Sequence, residues 1–266
     1  MPIGGGSFTV QNKVLPCAYI NFVSMGTNAK MGERGVAALP LELNWGPEGQ
    51  VFKLDAADFN ATSLKVFGYD PTDANILLVR EAMKRAKALL IYRVNGGGTK
   101  ASATVGGMTV TAKYGGTRGN AIKVAVITNV DDATKADVVT YLDDMVMDSQ
   151  TVAKSGGAAS LVANDFVTFG TVATLAAATA TPLAGGTNAT VNAAKHTAAL
   201  TAFEVETFNV IGYPGTVEDI KSLYAAFVKR LRDDEGKKIV GVLYGYDGDN
   251  MGLINVKNGV VLTNGT

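Results

Sequence analysis

The chain has 266 residues, of which 47% are hydrophobic and 18% charged, a balance typical of globular proteins and unlike that of disordered ones. Its 24 Lys and Arg residues equal its 24 Asp and Glu residues, so no net positive field favours nucleic acid as a partner. No run of about 18 apolar residues predicts a membrane-spanning helix, and the first residues lack the basic and apolar regions of a secretory signal. The single cysteine, Cys17, excludes an intramolecular disulfide and fits a reducing cytosol, so we expect folding in the cytoplasm.

The first 25 residues contain no helical period and predict an extended N-terminal arm. Within this arm, residues 14–23 form an apolar run with an early proline, as extended chain does. Further on, apolar residues alternate from Val36 to Leu43 and predict a strand that is broken near Pro40. We expect residues 26–95 to form the N-terminal part of an α/β body.

A helix is predicted to follow Asp70, with Asp70 as its cap and Pro71 at the first helical position. Apolar side chains at helical spacing would form its buried face, namely Ile76, Val79, Met83 and Ala86. The apolar run at residues 88–94 follows at once and predicts a buried strand.

Clusters of glycine divide the chain, and the cluster Gly96–Gly97–Gly98 opens a segment of a different kind. From there to residue 185, β-branched residues dominate and no helical face can be drawn. This composition predicts an inserted β domain over residues 96–185. Inside it, Asp143-Asp144 predicts the turn of a hairpin, because aspartate tolerates left-handed backbone.

Residues 186–266 return to an α/β pattern, with a helix predicted at 191–205 and a strand at 208–211. The next helix has the clearest signal in the chain. Thr216 and Asp219 have the spacing of a capping box, and Gly236 can close the helix. An apolar stripe runs along it, formed by Ile220, Leu223, Tyr224, Phe227, Val228 and Leu231.

A strand predicted at residues 239–244 completes a strand–helix–strand unit, which requires parallel strands and a right-handed crossover. Near the end, Asn258-Gly259 predicts a hairpin whose second strand has barely begun. We therefore expect the polypeptide to continue beyond this sequence.

Two residues could suggest catalysis, and a structural role is the better explanation for both. His196 is the only histidine, and the chain has no GxSxG motif. We therefore expect His196 to lie on a helix, either at the protein surface or in the core. One histidine and one cysteine also make a zinc site improbable. Cys17 has no basic neighbour that would make it a nucleophile.

Two loops resemble ligand-binding motifs only in part. Asp247 and Asp249 alternate as in a calcium loop, but Met251 and Asn258 stand where further oxygen ligands belong, which favours a polar turn between strands. Residues 114–120 are rich in glycine but lack the GK[ST] ending of a phosphate-binding loop, which again favours a turn. We predict no catalytic, cofactor-binding or metal-ligating residue.

Several stretches matter in combination and in order: VLPCAYINFVS, GERGVAALPLELNWGPEG, ALLIYRVNGGG, TAKYGGTRGNAIKV and PLAGGTNATVNAAKHTAALTAFEVETFNVIGYP. Together they resemble the tail sheath family of contractile phages and related bacteriocins, and AKYGGTRGN before a strand is the most specific of them. The resemblance implies an arm, an inserted β-sandwich, and an α/β domain of subtilisin-like topology without the catalytic triad. Two departures are Cys17 after Pro16, where the family usually has glycine, and the lack of the family's C-terminal domain.

The same resemblance implies a structural protein rather than an enzyme. Its copies would form stacked hexameric rings around an inner tube and contract to drive that tube through a bacterial envelope. The implied partners are other copies of the chain, the tail tube protein, and baseplate and tail terminator proteins. The implied location is a virion tail or bacteriocin particle, assembled in the cytoplasm of the bacterial host.

An arm without its own sheet leaves backbone donors and acceptors unpaired. We hypothesise that it adds a strand to a neighbouring copy, with contacts from Val14, Tyr19, Ile20 and Phe22. Two alternatives stay open. The strand–helix–strand unit would also suit an α/β enzyme, and the middle segment, rich in glycine, threonine and alanine, would suit a bacterial surface protein.

Overall fold

The computed structural model describes residues 35–259. Their strands are β1 (Val36–Leu41), β2 (Val51–Asp55), β3 (Ala88–Arg93), β4 (Ser102–Val105), β5 (Met108–Ala112), β6 (Ile122–Thr128), β7 (Lys135–Leu142), β8 (Met145–Ala153), β9 (Val167–Phe169), β10 (Ala178–Pro182), β11 (Val210–Tyr213), β12 (Val240–Tyr244) and β13 (Leu253–Val256). Their α-helices are α1 (Phe59–Phe67), α2 (Leu77–Met83), α3 (Ala193–Glu204) and α4 (Glu218–Asp233). Short 3-10 segments span Ala74–Ile76, Thr117–Ala121 and Gly157–Ser160.

Six strands form one mixed sheet in the order β13-β12-β11-β1-β3-β2, parallel except for β2. The strand–helix–strand unit predicted from the sequence is present as β11, α4 and β12. Strand β1 runs through Pro40 without a break along β3, whereas its pairing with β11 ends at Ala38. The predicted break therefore applies only to the side of β1 that faces β11. On that side the pairing ends before Pro40, which has no N–H to donate.

Helices lie on both faces of this sheet. On one face, α3 and α4 pack on alternate residues such as Ala38, Leu90 and Ile211. A side chain at Gly241 would come within 2.9 Å of Val228 of α4, so glycine allows the helix to lie close to β12. On the other face, α1 and α2 bury alternate residues of β1, β2 and β3, among them Leu89.

The helix predicted after Asp70 begins later than expected. Asp73 caps the 3-10 segment by accepting from the Asn75 N–H at 2.8 Å, whereas the Asp70 carboxylate accepts from Thr72 and closes a turn. Ile76, Val79 and Met83 are buried as predicted, and Ala86 is half-buried against the same core. Helix α1 and strand β2 lie in a region for which the sequence predicted no element.

The predicted capping box at α4 is wrong. The helix begins at Glu218, its N-cap is Val217, and no side chain caps it. At the other end, Gly236 has φ of 68° and the Lys237 N–H reaches the Leu231 carbonyl at 2.9 Å, so the predicted glycine closure is confirmed.

The inserted segment is a β-sandwich, which confirms a mixed α/β fold with a separate β unit. One sheet has the order β10-β6-β7-β8 and the other β4-β5-β9. Alternate strand residues fill the space between them, including Val110, Val124 and Val138. Asp143 and Asp144 both have positive φ, 48° and 68°, and join β7 to β8 in the predicted hairpin.

Some predictions lie outside the described residues. These are the N-terminal arm, with Cys17 and the proposed contact residues Val14, Tyr19, Ile20 and Phe22, and the second strand of the hairpin expected at Asn258-Gly259. Over residues 35–259, no helix combines the length and hydropathy needed to cross a membrane.

Candidate functional site: the joint between the mixed sheet and the sandwich

The chain passes twice between the six-stranded sheet and the sandwich, and the two crossings pair with each other. The Thr187 N–H donates to the Thr99 carbonyl at 3.1 Å, and the Ala189 N–H donates to the Asn95 carbonyl at 3.1 Å. A Cβ on Gly98 would lie 1.8 Å from the Thr187 carbonyl oxygen, closer than any side chain could tolerate. Glycine at this position therefore lets the crossings form one paired neck.

Arg93, the last residue of β3, is 1% exposed and binds groups from both sides of the neck. Its Nη1 donates to the carbonyls of Gly46 at 3.2 Å and Gly115 at 2.7 Å. Its Nε donates to Asn95 Oδ1 at 3.2 Å, and its Nη2 donates to Asn188 Oδ1 at 3.2 Å. Because a guanidinium has five donors in a fixed plane, one side chain ties the sheet, the neck and the sandwich together.

Glu48 balances the charge of this buried cation. One of its carboxylate oxygens accepts the Gly115 N–H at 3.2 Å and the other accepts the Gly97 N–H. Burial lowers the pKa of Arg93 from its ordinary value, and the nearby Glu48 carboxylate opposes that shift. The joint is thus a charged network with a compensating carboxylate.

Trp45, the only tryptophan in the chain, follows β1 but is buried in the core of the sandwich. It is 1% exposed, with its ring centroid 5.3 Å from that of Tyr114 in an edge-on arrangement and 6.3 Å from that of Phe166. Leu64 of α1 packs against the same core. An apolar anchor from the α/β side therefore accompanies the Arg93 network.

The loop at residues 114–120 makes further contacts across the joint. It joins β5 to β6, so the predicted turn between strands is confirmed, although the 3-10 segment Thr117–Ala121 was not foreseen. The Arg118 Nε donates to the Gly68 carbonyl at 2.7 Å, and its guanidinium lies 4.3 Å from the Tyr69 ring centroid and pairs with Asp143. The loop thereby connects the sandwich hairpin to the end of α1.

The crevice at the carboxyl ends of β1 and β11, where strand order reverses, is where open parallel sheets bind ligands. Here Tyr213 ends β11 and stacks on Tyr224 of α4, with ring centroids 5.1 Å apart. His196 Nδ1 lies 3.1 Å from the Tyr224 hydroxyl, and all three side chains are buried. Burial raises the pKa of Tyr224 strongly and lowers that of His196. His196 therefore has the core role expected for it.

The carboxylate of Asp247, in the loop between β12 and β13, binds side chains that lie next to it. The Asp247 Oδ1 accepts the Asn255 side-chain amide at 2.7 Å and lies 3.1 Å from the Lys257 ammonium. This geometry agrees with the predicted polar turn between strands. In the described part of the chain, no three His, Cys, Asp or Glu side chains lie together as a metal site would require.

Comparison with family models places this fold among phage tail sheath proteins. Three family models match in succession: Tail sheath protein Gp18 domain III N-terminal region over residues 34–94, Phage tail sheath protein beta-sandwich domain over 96–188, and Phage tail sheath protein central domain over 189–266. The chain belongs to the phage tail sheath family.

Two curated relatives come from Bacillus subtilis strain 168. The chain is 40% identical to the uncharacterized protein YqbK and 39% identical to the phage-like element PBSX protein XkdK, over 99% of this chain. The chain spans 60% of the length of each relative.

Solved structures agree. The sheath tail protein of Desulfitobacterium hafniense matches with a TM-score of 0.83 and 45% identity, over 94% of this chain and 58% of that one. The sheath tail protein of Listeria innocua matches with a TM-score of 0.76 and 39% identity, over 89% and 53%.

The sequence indicated few of the residues that build the joint. Arg93 and Trp45 were parts of predicted strands and their ends, without an assigned role. The sequence signal for the joint was the glycine content of its loop and neck, where two backbones come close. A Cβ on Gly116, for example, would lie 2.2 Å from the Asn44 carbonyl oxygen. Such close approach of two backbones shows as glycine in the sequence but does not identify the partner.

Proposed function

We propose that this chain is part of a structural tail sheath subunit that polymerises around an inner tube and contracts to drive the tube through a bacterial envelope. The observation that carries the proposal is the succession of three sheath modules, in order, over residues 34–266. The joint supports it, because a subunit that transmits force needs its parts fixed to each other. No step of this function requires catalysis by the chain.

The proposed organisation has four parts: an arm at residues 1–25, two parts of an α/β body at 26–95 and 186–266, and a sandwich at 96–185. The α/β body would have a subtilisin-like topology without the triad. The arm would add a strand to a neighbouring copy through Val14, Tyr19, Ile20 and Phe22. Because such a contact is head-to-tail, it propagates as an open helical array of stacked hexameric rings.

The partners in this proposal are other copies of the chain, the tail tube protein, and the baseplate and tail terminator proteins. The array would belong to a virion tail or a bacteriocin particle and assemble in the host cytoplasm. Energy for contraction would be stored in an extended array that is kinetically trapped above the contracted one, so no nucleotide is needed.

Electron microscopy of the complete polypeptide that contains this sequence tests the proposal. We expect tubular polymers from the parent protein, and folded monomers after Val14, Tyr19, Ile20 and Phe22 are replaced by aspartate. The control is Val130→Asp in the sandwich, where the side chain is 95% exposed and assembly should continue. Discrete particles from the parent protein would favour an enzyme, flat sheets would favour a surface protein, and normal tubes from the arm variant would refute the role of the arm.

A further inference from the structure

Half of one face of the six-stranded sheet has no covering layer among residues 35–259. On the face that carries α1 and α2, the buried core contains side chains from β1, β2 and β3 but none from β11, β12 or β13. The two helices therefore stop at the middle of the sheet. Beyond them the sheet continues for three strands.

The side chains on this uncovered half are apolar. Register pairs Val210 with Val240 and Val242 with Ile254, and these residues alternate with the ones that face α4. We call this surface, formed by Val210, Val240, Val242, Ile254 and Val256, the open face. Ile254 is 52% exposed and Val256 is 37% exposed.

Leu78 of α2 forms one border of the open face. Its side chain is 53% exposed, although Val79 and Met83 of the same helix are buried. A groove of about 240 Å³ lies between this helix and the sheet, lined by Leu39, Leu78, Gly212 and Val242 among others. Helix α2 therefore rises above the open face by the thickness of one helix, and we call the edge between them the step.

Parallel strands are normally covered on both faces, which is why they are apolar on both. Strands β11 and β12 have this composition, but residues 35–259 cover them on one face only. A helix lying beside α2 would fill the step and continue the same layer. Helix α2 would keep the flat sheet of another copy from reaching the open face. The shape of this surface therefore suits a helix better than it suits a second sheet.

We propose that the open face binds an amphipathic helix supplied by polypeptide outside these 266 residues. The chain spans 60% of YqbK and of XkdK, and 58% of the matched Desulfitobacterium protein, so such polypeptide exists in its relatives. The helix would carry apolar residues at positions i, i+3, i+4 and i+7 toward Val242 and Leu78. This inference rests on family membership and does not depend on contraction.

Thiol labelling tests the proposal. Ile254→Cys is made in a Cys17→Ser background, both in this chain and in a chimera that continues it with the part of XkdK outside the match. We expect maleimide to react at least about tenfold more slowly with monomeric chimera than with the chain alone. Val130→Cys serves as the control and should react equally in both, because Val130 is 95% exposed and distant in the sandwich.

Equal labelling of Ile254→Cys in both proteins would overturn the proposal. Slow labelling in the chain alone, with a doubled mass in sedimentation, would assign the open face to a second copy and overturn it too. A second readout is Ile254→Lys, which should lower the denaturation midpoint of the chimera but leave that of the chain unchanged. Equal effects of Ile254→Lys in the two proteins would also contradict the inference.

Discussion

Replacing Arg93 with methionine tests whether the joint is held by its buried charged network. Methionine keeps much of the length and apolar stem of arginine but has no donor. The carbonyls of Gly46 and Gly115 then lose the Nη1 that binds both, at 3.2 and 2.7 Å. Asn95 Oδ1 keeps the Leu43 N–H at 3.0 Å, so its loss is smaller.

The expected cost follows from these contacts. Each buried carbonyl left without a donor costs about 1–3 kcal/mol. Part of this cost is offset because the variant no longer has to bury a charged guanidinium. We expect the free energy of unfolding to fall by about 3 kcal/mol, which corresponds to a midpoint roughly 6–12 °C lower for a chain of this size. The free energy of unfolding of Arg93→Lys should lie between those of the parent and Arg93→Met, because an ammonium cannot bind both carbonyls and both side-chain amides as the planar guanidinium does.

Trp45 lets the assay report on the joint, because it is the only tryptophan and it follows β1 but is buried in the core of the sandwich. Urea denaturation is followed by tryptophan emission and by far-ultraviolet circular dichroism. In Arg93→Met we expect the emission transition to come first, as the joint opens before the sheets unfold. The control is Arg85→Met at an exposed position, expected within about 0.5 kcal/mol of the parent. An Arg93→Met variant as stable as Arg85→Met would refute the reasoning.

Three further predictions concern single residues. Burial lowers the pKa of His196 in the folded state. The stability that the neutral side chain contributes is therefore fully present above the ordinary pKa of about 6.5 and is lost as pH falls from there toward the folded-state pKa. Denaturation midpoints measured at about pH 7.5 and 5.5 should accordingly differ less in His196→Asn than in the parent. Asp144→Val places a β-branched residue at a φ of 68° and should cost about 1–2 kcal/mol in thermal denaturation, whereas Asp131→Val at an exposed position should cost little. Gly98→Ala should destabilise more than Gly259→Ala, since a Cβ at Gly98 would meet the Thr187 carbonyl, whereas Gly259 has no positive φ and a Cβ there would meet nothing within 4 Å; equal melting temperatures would contradict the paired neck.

Local signals were sufficient to predict the elements whose stability depends on local chemistry. The stripe from Ile220 to Leu231 specifies α4, and the Asp143-Asp144 turn specifies the hairpin, because each depends on residues close in sequence. Helix α1 has no such signal: its N-cap, Asp58, makes no side-chain cap bond, and the helix contains Asn60, Thr62 and Ser63. Its position is set by packing of Phe59 and Phe67 against the sheet.

The joint could not be predicted because its contacts join distant parts of the chain. Arg93 and Asn188 are 95 positions apart, and Asn188 and Asn44, whose side chains pair at 2.8 Å, are 144 positions apart. No periodicity records such pairs. Arg93 at the end of an apolar strand would ordinarily be exposed, and only the fold shows that the sandwich closes over it.

The joint also bears on where a shape change in the proposed array takes place. A hinge consists of a few residues that absorb backbone rotation and has few buried contacts. The neck has the opposite character: paired crossings, a buried arginine with a compensating Glu48, and a tryptophan from one unit in the core of the other. Rotating the sandwich against the sheet would withdraw Trp45 and break the Arg93 contacts together. Within the described residues, the joint is therefore built as a rigid connection, and in the proposed array we expect a shape change to move the contacts between copies instead.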